Sequence, residues 1–156
     1  MSFSSELKEE ISKSENLANK EAVKYELIGY LMSSNISEED QYIKFSTENE
    51  YNINRFSRLL SNMNINKYDI SVQGNLFVII VKRGYLSDIA EDENLNLEQI
   101  KWLIKGAYLG SGSVNNPEKK YHLEIGIREK QNAQKIKEYL MKYDIKSNMI
   151  EKNNQY

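Results

Sequence analysis

The chain has 156 residues and a net charge of −2, with 40% hydrophobic and 28% charged residues, no cysteine, one histidine and one proline. That length and balance suit one ordered globular domain, or two small halves sharing a core, and not a disordered or collagen-like chain. Without cysteine there is no disulfide, thiol nucleophile or zinc finger, and a single histidine, His122, excludes sites that need two. The longest apolar run, residues 76–81, is too short to span a bilayer, so no membrane partner is expected. The opening MSFSSELKEE is acidic and polar and reads as no signal peptide, so the expected location is the cytoplasm. Residues 1–95 carry 10 Lys and Arg against 16 Asp and Glu, and residues 96–156 carry 11 against 7. The basic second half is compatible with a nucleic-acid face but is not evidence for one, since lysines usually just solvate a helix surface. The acidic first half would repel phosphate, so any such contact must be local.

Taken in chain order, Ser4 and Ser5 ahead of Glu6, Leu7 and Ile11 predict a capped helix over residues 5–14. Residues 15–20 are polar and connect. Residues 21–32 are helical, with Val23, Leu27, Tyr30 and Leu31 on one stripe, and Ser33-Ser34-Asn35 ends that helix. Residues 42–46 alternate as a strand, and residues 49–63 place Ile53, Phe56, Leu59 and Leu60 at helical spacing. Strands over 67–72 and 76–82 flank Gln73-Gly74-Asn75 and predict a hairpin. A short helix or turn over 85–90 leads to the acidic link 91–94. A long helix follows over 95–110, then a loop over 112–120 that holds Pro117. A strand over 121–128, a helix over 131–143 and a strand starting at 147–150 complete the pattern.

The order helix, strand, helix, strand therefore occurs twice. Leu27, Gly29, Leu31 and Ser34 superpose on Ile104, Gly106, Tyr108 and Ser111 with a shift of 77. Ile53, Phe56, Leu59 and Leu60 superpose on Ala133, Ile136, Tyr139 and Leu140 with a shift of 80. Strand 67–72 finds its counterpart near 146–151, and the counterpart of 76–81 would fall past residue 156. The second repeat is thus expected to be incomplete, which reads as a truncation that leaves an open sheet edge. The predicted fold class is α+β. Two pseudo-symmetric helix and antiparallel-sheet repeats, 1–94 and 95–156, would form one domain around a dyad. Gly106 and Gly110 share one helix face and would let two helices approach closely, although Gly110 and Gly112 also read as a helix end. The GxG at 110–112 ends a helix and so is no dinucleotide fingerprint.

Three stretches carry a resemblance. They are the opening Met1-Ser2-Phe3-Ser4-Ser5-Glu6-Leu7-Lys8-Glu9-Glu10, the run KGAYLGSGSVNNPEKKYHLE over 105–124, and Ser46-Thr47-Glu48-Asn49. With them the chain resembles the WhiA family of bacterial sporulation and cell-division transcription regulators, whose N-terminal part is of the LAGLIDADG homing-endonuclease type. The resemblance covers essentially the whole chain but lacks the end of the second repeat and the C-terminal helix-turn-helix domain. It implies a fold in which each repeat ends its dyad helix with an acid that holds Mg²⁺ over the scissile phosphates. The matching positions here are Ser34 and Ser111, degenerate metal positions, and their neighbours Ser33 and Gly110 are not acids either. No catalytic residue, metal or cofactor is therefore expected. Nor does His122, with Ser111 or Ser113 and Glu124, sit at any spacing that dictates a triad.

The resemblance also implies DNA lying across a saddle made by the open sheet faces. Strand alternation turns Ile43, Phe45, Ile70, Val72, Leu123, Ile125 and Ile127 toward the helices and their neighbours outward. The candidate DNA contacts are Lys44, Lys67, Gln73, His122 and Arg128, with Lys119 and Lys120 reaching phosphates from the loop. Asp69 and Glu124 on the same surface would oppose phosphate, and a solvated polar sheet face is the alternative. The expected function is a catalytically inactive domain of a WhiA-like DNA-binding regulator at the nucleoid, holding double-stranded DNA weakly. The other reading is a module for contact with another regulatory protein, or for self-association through the open sheet edge.

Overall fold

The structure, a computed structural model, describes residues 3–13, 17–89, 94–114 and 122–156. Two helices run side by side through its middle, α2 (Lys20–Met32) and α4 (Leu97–Ser111). They follow α1 (Phe3–Ser12) and enclose the first sheet in the sequence. The Asn19 side chain starts α2 by accepting from the N–H groups of Glu21 and Ala22. A capping box of Asn96 and Gln99 starts α4.

The two central helices meet through glycine. A Cβ on Gly29 would lie 2.0 Å from the Leu103 carbonyl oxygen, and one on Gly106 would lie 1.8 Å from that of Glu26. Both pairs are related by the shift of 77 seen in the sequence. Gly110 faces its own counterpart, with its Cβ position 2.7 Å from Ser33 Cβ. The helices therefore cross on a local dyad.

Because α2 lies between two cores, it is buried nearly all round. Leu27 and Tyr30 enter the first core, and Tyr25, Ile28 and Met32 enter the second. The first core is built on a four-stranded antiparallel sheet of order β1-β2-β4-β3, made of β1 (Ile36–Glu39), β2 (Tyr42–Thr47), β3 (Tyr68–Gln73) and β4 (Leu76–Lys82). Helix α3 (Glu50–Asn62) covers it with Ile53, Phe56, Leu59 and Leu60. Phe45, Phe56 and Tyr30 stack at its centre with ring centroids 4.7–5.4 Å apart. Each fully buried ring contributes about 1.5–3 kcal/mol. The second core rests on two short strands, β5 (Gly112–Val114) and β6 (Leu123–Ile125), and on α5 (Lys130–Met141) through Ala133, Ile136 and Tyr139. A short 3₁₀ turn over Arg83–Leu86 leaves the first sheet.

Several expectations change. Strand β1 was not predicted, because Ile-Ser-Glu-Glu has one buried residue and no apolar alternation. Its two glutamates instead guard a sheet edge. Residues 112–114 are strand and not loop. The strand expected over 121–128 pairs only at 123–125, and Ser33 bridges Ile127 beyond it. Residues 147–150 form no strand, and Ile150 is exposed. In the first repeat the corresponding strand, β3, gains all its rungs from β4, and among the described residues no β4 equivalent adjoins 147–150. Only Tyr156 takes up that role, exchanging two backbone hydrogen bonds with Ile127 at 2.7 and 2.9 Å. This copies the pairing of Thr47 with Phe77.

Ile70 and Val72 do lie in register with Ile79 and Phe77, on the helix side of the sheet. They are nonetheless 53% and 67% exposed, because β3 is the outermost strand and α3 packs on β2 and β4. Alternation names the face but not whether a helix reaches it. Lys119, Lys120 and most of the 91–94 link lie outside the described residues.

Candidate nucleic-acid interface

The C-terminal ends of α2 and α4 bring Ser34 and Ser111 together. The Ser34 N–H donates to Ser111 Oγ at 3.3 Å and to the Gly126 carbonyl at 2.9 Å. The Ser111 hydroxyl donates to the same Gly126 carbonyl, and the Gly126 N–H donates to the Ser111 carbonyl at 3.1 Å. Asn35 Nδ2 closes the group on the Gly110 carbonyl at 2.8 Å. This is a neutral knot of hydroxyls and amides. Glu38, in the adjoining strand, is held by Arg83 at 3.5 Å and by Arg128 at 3.3 Å. A divalent cation wants carboxylate oxygens, and Ser34 and Ser111 offer it none. Among the described residues no group of three or more acidic or histidine side chains could hold a metal.

The outer face of the first sheet carries the remaining candidates. The register aligns Glu39, Tyr42 and Lys82 across three strands and extends to Lys67, which stands just before β3. The next row on that face holds Lys44, Ile80 and Asp69. Lys44 Nζ reaches Gln73 Oε1 at 3.5 Å, across the rung of Val78, which is fully buried although it points to this open side. Three lysines, Lys44, Lys67 and Lys82, thus outnumber Glu39 and Asp69. Lys82 was missing from the sequence-derived set, because the run 76–81 reads as buried on both faces.

The second sheet gives a different surface. His122 Nε2 lies 2.8 Å from Glu124 Oε1, both residues largely exposed. Arg128 turns partly inward: its N–H donates to the Met32 carbonyl, and its guanidinium pairs with Glu38 and Glu129. The structure therefore gathers Lys44, Lys67 and Gln73 on one sheet, sets His122 against an acid, and uses Arg128 to tie the two halves together.

Residues 100–156 match the family model described as the WhiA LAGLIDADG-like domain. The probable cell division protein WhiA of Clostridium tetani is 26% identical over all of this chain and 59% of its own length. The crystal structure of the N-terminal LAGLIDADG domain of DUF199/WhiA superposes with a TM-score of 0.85, at 22% identity, over 99% of this chain and 81% of that one. The fold is that of the WhiA LAGLIDADG domain. The chain spans about three-fifths of the length of the curated WhiA proteins that it matches end to end. The WhiA-type fold extends further: I-DmoI in complex with DNA and Mn superposes with a TM-score of 0.62, at 15% identity, over 88% of each chain. That likeness is one of fold. No helix among the described residues is long and apolar enough to cross a membrane.

The packing beneath the site holds a network that sequence reasoning missed. Glu26, buried in α2, accepts two hydrogen bonds from Arg55 of α3 at 2.7 and 2.8 Å, and Lys105 of α4 stands 3.2 Å away. Arg55 also donates to the Ser12 carbonyl of α1 at 3.2 Å. Through Arg55 and Lys105 this carboxylate ties four helices together. Burial works against the Arg55 charge, but the hydrogen bonds and charge of Glu26 outweigh it and raise its pKa. Burial lowers that of Lys105 despite the same carboxylate. A Glu set between Tyr25 and Leu27 in the part of α2 that is otherwise buried was the available signal.

Proposed function

We propose that the chain is a non-cleaving LAGLIDADG-type scaffold of a WhiA-like regulator, two repeats over 1–94 and 95–156 in one domain, which contacts DNA through its first sheet. The observation that carries the non-cleaving part is the Ser34–Ser111 knot, where hydroxyls tied to Gly126 replace the acids that metal-dependent hydrolysis needs. The DNA part is supported by the lysine group of Lys44, Lys67 and Lys82 beside Gln73, placed where phosphates would cross the saddle. His122 and Arg128 contribute less than the sequence suggested, since each faces a carboxylate. Lys119 and Lys120 keep their proposed place as phosphate contacts. Acting on chromosomal DNA would put the protein at the nucleoid.

Gel shift of a mixed-sequence duplex tests this reading. Lys44→Glu with Lys67→Glu should abolish the shift, and Lys137→Glu on α5 should leave it. Supercoiled plasmid with Mg²⁺ should stay intact. Loss of binding in neither variant, or nicking of the plasmid, would overturn it.

A specific observation favours a second reading, self-association with a second copy. Among the described residues β6 pairs only with β5 and no strand lies on its other edge, next to the Ile127–Tyr156 rung, and Leu123 on it is 54% exposed. A strand of a second copy could add there. Sedimentation velocity of the chain and of Leu123→Lys would show a dimer lost in the variant.

A further inference from the structure

A polar stripe of α1 faces inward. Ser4, Lys8 and Ser12 recur every four residues and so share one helix face. The Ser4 hydroxyl accepts from the Val114 N–H at 3.2 Å, and Ser12 is buried with its carbonyl on Arg55. Lys8 lies between them, part-buried, with its ammonium 5.6 Å from the centroid of the Tyr108 ring. Among the described residues no carboxylate lies within ion-pair distance of it. Burial lowers its pKa. A desolvated ammonium without a counter-charge is costly, and buried charges are ordinarily paired.

Lys8 opens on a polar cavity of about 310 Å³ whose lining includes Asn35, Ser46, Thr47, Asn49 and Asn52. Asn52 is already committed, accepting from the Tyr30 hydroxyl and donating to the Leu109 carbonyl. Asn49 stands at the start of α3 with no side-chain capping bond, so its amide remains as a donor together with the N–H groups of Glu50 and Tyr51, while that of Asn52 is taken by the Asn49 carbonyl. Glu48 is exposed at the rim and is the one acid on the lining.

We propose that this cavity binds a phosphate group, with the Lys8 ammonium as its counter-charge and the Ser46 and Asn49 side chains as donors. An oxyanion with several acceptor oxygens satisfies the ammonium and the amides together. The size admits a phosphate with a small organic group. The phosphate can belong to a small molecule or to a DNA backbone, and the site does not depend on the DNA reading above.

Titration of the whole chain with inorganic phosphate at constant ionic strength, followed by amide shifts in ¹H–¹⁵N spectra, tests the proposal. Saturable shifts should be confined to Asn35, Ser46, Asn49 and Gly110. Lys8→Met should weaken binding by about tenfold or more, the loss of one charge-assisted contact. Lys8→Arg should restore most of it, and Glu48→Gln should tighten it. The same spectra report whether each variant is folded. If phosphate then displaces a labelled duplex from the wild type but not from Lys8→Met, the backbone is the source; if duplex binding ignores phosphate, the source is a small molecule. Absence of saturable shifts, or equal affinity in wild type and Lys8→Met, would overturn the site.

Discussion

The backbone of Gly106 presses on that of Glu26 so closely that a Cβ at residue 106 would lie 1.8 Å from the Glu26 carbonyl oxygen. The neighbour is backbone and cannot swing aside. Gly106→Ala would gain about 1 kcal/mol of helix propensity. The clash forces α2 and α4 apart across both cores and costs about 3 kcal/mol or more, so it wins. Urea unfolding should show a clearly lower midpoint for Gly106→Ala, and the same for Gly29→Ala. An unchanged midpoint in both would contradict the close crossing.

The same backbone contact sits beside the buried carboxylate. Glu26→Gln leaves the buried Arg55 and the part-buried Lys105 facing a neutral amide where the carboxylate stood. Removing one member of a buried ion pair costs about 3–5 kcal/mol. Chemical denaturation of the variant should show a loss of that size, far above the effect of Lys13→Ala, whose pairing with Glu9 is at the surface.

Much of the central crossing was legible in the sequence, because a shift of 77 places glycine at both 29 and 106 and serine at both 34 and 111. Dyad symmetry turns such repeats into contacts. The edges were not legible. Ile36-Ser37-Glu38-Glu39 gives no strand pattern, since it gains its structure from pairing with β2. Ile70 and Val72 alternate correctly, yet coverage depends on how far α3 reaches. Lys8 was invisible for the opposite reason. A polar stripe on a short helix reads as the solvent side, and here it packs against α4, β5 and α3.

Lys8 carries a pH signature. Its pKa in the folded protein lies below the 10.5 of an unperturbed lysine, owing to burial. Below the folded value both folded and unfolded states are protonated, and the cost of the buried charge is fully present. Between the folded value and 10.5 the unfolded chain binds more protons, so this cost disappears as pH rises. Lys8→Met removes the group and should be more stable than wild type near neutral pH. The difference should shrink toward pH 10.5. Thermal unfolding across that range checks it, and a constant difference would count against a desolvated ammonium.

At the serine knot, restoring an acid should not be benign. The Ser111 hydroxyl donates to the Gly126 carbonyl, and a carboxylate there would face that oxygen with no proton to give. Ser111→Ala should cost about 1 kcal/mol and Ser111→Asp about 1–3 kcal/mol, the penalty of an unmatched polar contact. Calorimetry of both variants compares the two. An aspartate variant as stable as wild type would mean that the position still accommodates an acid.

The central claim is that the first sheet meets DNA through a few lysines. Fluorescence anisotropy of a labelled mixed-sequence duplex, at two salt concentrations, measures it most directly. Contact through Lys44, Lys67 and Lys82 predicts binding that weakens steeply with salt, with a slope reduced by about one for each lysine replaced by glutamine. Binding absent at low salt, or a slope untouched by all three replacements, would contradict it.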